Sequence, residues 1–211
     1  MATQADGCRI SLEDASDVLG DFRDEIVEDF MNAWDTWLRV GQAVPQVAVA
    51  ADKRARGSTV WCLIKNNIER RFQSNPRIKF FEVDDLWLVR VDDAFLFRVK
   101  KTDKRDRVWN RETGRQKQCD LQDPALVDTD LPLLVMTYRL DRAETRIEDI
   151  RLWYRRDKTL YWICSLLSAA AFEQPSIPFA NEEQPLRRDR VRSQSGAKKQ
   201  KPTSDEVVDH E

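Results

Sequence analysis

Histidine is almost absent from this sequence, since His210, the penultimate residue, is the only one among 211. A side chain at a chain end is not held by a packed environment, which excludes imidazole-dependent triads and zinc sites built on histidine. Glycine is also scarce. None of the six glycines stands in a phosphate-binding spacing such as G-x-G-x-x-G, and no G-x-S-x-G is present. We therefore expect no cofactor, no bound metal and no nucleophilic catalysis.

Long apolar runs and clustered cysteines are also missing. The longest apolar candidate, residues 160–172, is shorter than the roughly 20 residues of a membrane helix, and residues 1–20 lack a basic start followed by an apolar run. The cysteines are far apart and form no C-x-x-C pair: Cys8, Cys62, Cys119 and Cys164. This dispersal predicts reduced thiols in a cytoplasmic protein rather than a disulfide framework or a zinc site, with Cys62 and Cys164 as core residues.

Apolar residues recur with a helical period in the first third of the chain. The stripe from Phe22 to Leu38 predicts a helix that is capped by Asp21 and ends between Gly41 and Pro45. A second helix is predicted from Ser58 or Thr59 to residues 75–76, where Asn-Pro ends it. Residues 47–51 fit neither a helix nor a strand clearly.

The period changes to two after Pro76. Residues 78–83, 86–91 and 94–100 predict an antiparallel meander with acidic turns, and residues 133–140, 147–155 and 159–166 predict three more strands. The predicted fold class is therefore α+β, with two N-terminal helices packed on a mostly antiparallel sheet of about six strands. We expect a flexible N-terminus at 1–20, a single domain at 21–172 and a disordered charged tail at 173–211.

Charge is segregated although the formal net charge is only −2. Residues 1–40 are rich in Asp and Glu, whereas residues 98–117 contain nine bases against three acids. The candidate binding residues of this basic segment, most of them in a polar loop at 102–124, are Arg98, Lys100, Lys101, Lys104, Arg105, Arg107, Trp109, Arg111, Arg115 and Lys117. The candidate partner surface on the acidic helix comprises Asp24, Glu25, Glu28, Asp29 and Trp37, although a core position for Trp37 is favoured.

Three interpretations of the basic segment stay open. It is a solvated loop, a contact for an acidic protein, or a nucleic-acid contact that the basic stretch at 187–201 of the tail would extend, with the indole of Trp109 stacking on a base. A metal-dependent nuclease is the sharpest enzymatic alternative, and its candidate residues are Glu69, Glu82, Asp93 and Lys100. The usual acid-x-Lys pair is missing, because Arg98 and Val99 precede Lys100 and Lys101 by two residues.

Four segments give the chain a resemblance to a known group of proteins: Ala33–Trp37, Phe95–Lys101, Ile150–Tyr154 and Leu160–Trp162. Over about residues 22–167 the chain resembles small bacterial proteins encoded beside regulators with a helix-turn-helix and an ImmA/IrrE-type metallopeptidase domain. The resemblance implies a bacterial toxin–antitoxin or phage-defence pair and transfers no catalytic residue. We therefore expect a non-enzymatic interaction protein with a protein partner, and nucleic-acid binding as the alternative. The oligomeric state does not follow from the sequence.

Overall fold

The computed structural model describes residues 10–83, 86–103, 118–119, 121–122, 130–156 and 159–167. These residues form four helices followed by six strands, which is the α+β order expected from the sequence. The helices are α1 (Leu12–Gly20), α2 (Arg23–Ala43), α3 (Pro45–Ala50) and α4 (Lys53–Phe72). The strands are β1 (Ile78–Val83), β2 (Leu86–Val91), β3 (Phe95–Lys101), β4 (Leu133–Leu140), β5 (Ile147–Arg156) and β6 (Thr159–Ser165).

Helix α1 lies in the segment that was predicted to be a flexible N-terminus. The Ser11 hydroxyl accepts a hydrogen bond from the Asp14 amide at 3.0 Å and thereby caps the helix, while Ala15 and Leu19 are buried. The indole of Trp162 donates to the Ile10 carbonyl at 3.0 Å. Residues 10–20 are therefore held by three buried apolar residues, Ile10, Ala15 and Leu19, together with the capping bond and the bond from Trp162. Three apolar residues are too few to stand out as a stripe in the sequence.

Helices α2 and α4 supply the apolar faces that pack against each other and against the sheet. The buried positions of α2 follow the predicted stripe: Ile26, Phe30, Ala33, Trp34 and Trp37. Helix α4 begins at Lys53, before the predicted Ser58 or Thr59, because the Asp52 carboxylate caps it by accepting from the Ala55 amide at 2.7 Å. Its first buried residue is Val60, so the first two turns carry no core signal that a sequence pattern can show.

The six strands form one sheet in the order β1-β2-β3-β4-β5-β6. Every neighbouring pair is antiparallel except β3 and β4, which run parallel with Leu96 opposite Leu133 and Lys101 opposite Tyr138. The sheet is therefore mostly antiparallel, as predicted, and consists of two antiparallel meanders joined by one parallel pair. No helix within the described ranges combines the length and apolar composition that crossing a bilayer requires.

The two faces of the sheet have different cores. The helix-facing side chains include Phe95, Phe97 and Val99 of β3 and join the large core, whereas Leu88, Leu96, Cys119 and Leu133 form a small cluster. Because side chains alternate along a strand, this small cluster lies on the face opposite the helices. Cys164 is buried, as predicted. Cys62 is exposed on α4, because it lies between the inward positions Val60 and Ile64.

Candidate functional site

The predicted nuclease residues do not share one site. Glu69 accepts a hydrogen bond from the indole Nε1 of Trp87 at 2.8 Å. The Nζ atom of Lys65 lies 2.9 Å from a carboxylate oxygen of Glu82 and 4.0 Å from one of Glu69. Glu69 and Glu82 thus lie close together, but the ammonium group of Lys65 lies near both carboxylates. This arrangement is typical of an ion pair that holds a helix on a sheet.

The other two nuclease candidates lie elsewhere. Asp93 follows the last residue of β2 and pairs with Arg90. Glu82 lies in β1 opposite Trp87, which is near the first residue of β2, so the two acids lie at opposite ends of the β1–β2 pair. Lys100 alternates with Val99 of the helix-facing core, so it projects from the opposite face of the sheet. Within the described residues no group of three His, Cys, Asp or Glu is placed to hold a metal ion.

The predicted acidic partner surface is only partly at the surface. Asp24, Glu25 and Glu28 are exposed on α2, but Asp29 is 3% exposed. The Nε atom of Arg71 on α4 donates to both carboxylate oxygens of Asp29 at 3.0 Å. Burial raises the pKa of Asp29 and outweighs the opposing hydrogen bond and charge of Arg71. Asp29 therefore joins two helices and is not available to a partner.

Trp37 is 7% exposed and belongs to the large core, which agrees with the favoured alternative of the sequence analysis and removes it from the partner surface. The neighbouring Trp34 is also buried, and its Nε1 donates to the Thr145 carbonyl at 2.9 Å. Both indoles lie on the inward stripe of α2. They serve the packing of α2 on the core and are not exposed to a partner.

The predicted basic binding segment begins inside the fold. Arg98 is 4% exposed in β3, because its position in the middle of a strand places it against the covered outer face of the sheet. Lys100 and Lys101 are half-buried at the end of β3. The remaining candidates lie outside the described residues: Lys104, Arg105, Arg107, Trp109, Arg111, Arg115 and Lys117.

Lys101 lies in a cationic environment at the start of α4. Burial lowers the pKa of Lys101, the charge of Glu144 opposes this effect, and the charges of Arg56 and Lys53 add to it. Arg56 also forms an ion pair with Glu144. Three cations therefore surround one carboxylate at this end of the helical layer, so the local charge is positive.

An exposed apolar hairpin joins α2 to α4 and was not recognised as a site from the sequence. Helix α3 contains no buried residue, and Val49 is 87% exposed. Val40, Val44 and Val47 are 38–46% exposed. We call these four residues the valine corner. Helix α3 packs closely against α2, since a Cβ added to Gly41 would lie 3.3 Å from the Cβ of Ala48.

Comparisons with protein-family models, curated proteins and solved structures find no match to this chain. The function of the chain is therefore inferred from its surfaces. One signal in the sequence pointed to the valine corner: residues 40–51 contain no charged residue in a chain in which 34% of residues are charged. The apolar composition of that stretch is equally typical of a buried strand, so exposure could not be read from it.

Proposed function

We propose that this chain is a non-enzymatic interaction protein that acts through a protein partner in a bacterial toxin–antitoxin or phage-defence pair. The valine corner is the observation that carries the proposal. Val40, Val44, Val47 and Val49 are all exposed within ten residues of chain. Leaving these side chains in water forgoes the free energy of burial, which contact with another protein would recover. Helix α3 has no buried residue of its own, so the fold does not account for its valines.

The exposed acids of α2 support a second contact on the same layer. Asp24 and Glu25 are exposed and form no ion pair with any described residue, whereas Glu28 pairs with Arg71. Unneutralised charge of one sign speeds association with a partner of the opposite sign and contributes more to specificity than to affinity. The resemblance described in the sequence analysis supports the part of the proposal that places the chain in a bacterial toxin–antitoxin or phage-defence pair.

The test is co-expression with the product of the neighbouring gene, followed by capture on the tagged chain. Val47→Asp combined with Val49→Asp is expected to weaken binding of the purified partner at least tenfold, because charged side chains cannot be buried in an apolar contact. Asn66→Asp with Gln73→Glu is the matched control, since it adds the same charge at two exposed positions, one on α4 and one at its C-cap. Asn66 lies about 20 Å along the helix from Lys53. Wild-type affinity of the valine variant would reject the valine corner as the contact.

The predicted basic loop has its own test. Reversal of Arg105, Arg107 and Arg111 to Glu is expected to abolish complex formation or the cellular effect while the fold survives. If the triple variant keeps wild-type partner binding and activity, that loop only solubilises the chain.

Nucleic-acid binding is the second candidate function. Lys53 and Arg54 are exposed, and Lys53 lies near enough to Lys101 to lower its pKa, so positive charge continues from α4 towards the basic segment at 98–117. Phosphate contacts make affinity fall steeply with salt. A filter-binding titration with duplex and single-stranded DNA at increasing salt tests this candidate, and absence of binding at low salt eliminates it.

A further inference from the structure

The charges that border the valine corner are mostly cationic. Arg39 is exposed near the end of α2 and donates to the Thr36 hydroxyl at 3.1 Å, and Lys53 and Arg54 are exposed at the start of α4. None of the three pairs with a carboxylate among the described residues. Arg39 directly precedes the uncharged residues 40–51, and Asp52, Lys53 and Arg54 directly follow them. The corner is therefore an apolar surface with a basic border.

The acids nearest to this surface along the chain are already engaged or face elsewhere. The Asp52 carboxylate caps α4 through the Ala55 amide, and Glu144 pairs with Arg56. Asp35 lies one turn before Arg39, but it lines a separate cavity of about 430 Å³ together with Trp34 and other residues. Asp52 keeps its negative charge, because a hydrogen bond from a neutral amide does not neutralise a carboxylate. The border therefore holds three cations against this one carboxylate and has a net positive charge within the described residues.

Three other occupants explain this surface less well. The acidic face of a second copy would meet a different patch from its own, and such a heterologous contact builds rings or open-ended chains rather than the two-fold dimers that are commonest among oligomers. Nucleic acid would use the basic border but has no apolar counterpart for the four valines. A bilayer surface would accept both, but valines lack the amphipathic rings that favour the membrane interface.

We infer that the valine corner docks an acidic amphipathic segment of the protein partner. Its apolar side chains pack against valines of the corner, and its carboxylates pair with the basic border of Arg39, Lys53 and Arg54. Val47 and Val49 lie two residues apart on α3 and so face different sides of this helix, which is why the test changes both. The inference rests on the proposed function and adds the chemistry of the partner. Apolar burial supplies the affinity, and the basic border sets which partners associate and how fast.

The experiment uses the full chain and a fluorescein-labelled 18-residue peptide with leucine on one helical face and glutamate on the other. Fluorescence anisotropy is expected to show binding that weakens with salt. Val47→Asp with Val49→Asp and, separately, Lys53→Glu with Arg54→Glu are each expected to raise the dissociation constant at least tenfold. A peptide of the same composition in scrambled order, which has no continuous apolar face, is expected to bind at least tenfold more weakly.

Arg70→Glu with Lys79→Glu is the matched control for charge reversal, because both residues are exposed and the change in net charge is the same. It is expected to bind within about twofold of wild type if specific contacts matter more than net charge. Equal loss in the control would show a general charge effect and overturn the inference. Circular dichroism of every variant confirms that the fold is retained.

Parallel titrations with phosphatidylglycerol vesicles and single-stranded oligo(dT), and sedimentation of the chain alone, test the other occupants. The inference is overturned if the glutamate peptide does not bind and the valines are instead needed for binding to vesicles or oligonucleotide. It is also overturned if the peptide does not bind and the valines are needed for self-association. Failure of the two proposals is distinguishable. If the native partner is captured through the valines but the glutamate peptide does not bind, the interaction function stands and the acidic partner chemistry is wrong. If the valine variant captures the native partner as well as wild type does, the valine corner no longer supports the proposed function.

Discussion

Removal of the Arg71 guanidinium tests how strongly the helical layer depends on the buried Asp29. Arg71→Met keeps an aliphatic side chain of similar reach and leaves the carboxylate, which is 3% exposed, without its cation. Removing one partner of a buried ion pair costs about 3–5 kcal/mol of stability. Part of the Arg71 side chain is exposed, so the lower end of this range applies.

Protonation of Asp29 sets an upper limit on that cost. An aspartate whose unfolded pKa is 3.8 is protonated at pH 7 at a cost of about 4 kcal/mol, and at pH 5 at a cost of about 1.6 kcal/mol. Arg71→Met is therefore expected to lower the free energy of unfolding by about 3 kcal/mol at pH 7 and by less than about 2 kcal/mol at pH 5. The deficit shrinks as the pH falls because the neutral acid no longer needs the cation.

Urea denaturation followed by circular dichroism at both pH values measures this effect. Asp29→Asn and the double variant complete the cycle, and in the Asp29→Asn background the loss of Arg71 is expected to cost about 1 kcal/mol or less. In the wild type the pKa of Asp29 is raised, so the folded state holds this proton more tightly and the group's contribution to stability falls as the pH rises above 3.8. A loss below about 1 kcal/mol at pH 7, or a loss that does not change at pH 5, would refute the reasoning.

Three further predictions concern α1, α2 and β3. Ser11→Ala is expected to cost about 1 kcal/mol in urea denaturation because the helix loses its cap, and no change would mean that α1 does not contribute to stability. Trp37→Ala is expected to cost about 3–5 kcal/mol because it opens a cavity in the core, and a small loss in stability together with lost partner binding would instead return Trp37 to the interaction surface. Lys101→Met is expected to leave stability at pH 7 unchanged or to raise it by up to about 1 kcal/mol, because it removes a partly desolvated cation. The pKa of Lys101 is lowered, so wild type alone should gain stability from this group as the pH approaches 10.5, and a clear loss at pH 7 would show that the cation is needed.

The strands could be predicted from the sequence because their alternation and acidic turns are local signals. Residues 78–83 and 86–91 form strands with the predicted bounds, and so do residues 133–140. The stripe of α2 was equally clear. The start of α4 was not, because Lys53–Thr59 project from the core and begin the helix through a cap alone. The parallel pairing of β3 with β4 is set by a distant partner, which no local pattern reports.

The candidate site was harder to predict because exposure depends on neighbours that are distant in sequence. Asp29 and Glu28 have the same charge and are adjacent, yet only Asp29 faces the core. Arg98 belongs by composition to a basic loop and by position to a strand. Residues 45–50 are apolar and exposed, which reverses the usual relation between composition and burial.

The parallel pair of β3 and β4 at the centre of the sheet also determines which connection loses the most entropy when its loop closes. The other neighbouring strands are joined by connections of at most six residues, whereas pairing β3 with β4 closes the longer connection between residues 101 and 133. The cost of closing a loop grows only with the logarithm of its length, by about 0.6 kcal/mol for each doubling. Lengthening this connection would therefore slow the joining of the two meanders while leaving the strand register intact. Among the connections between strands of this sheet, it is the one in which a given insertion adds the least loop-closure entropy.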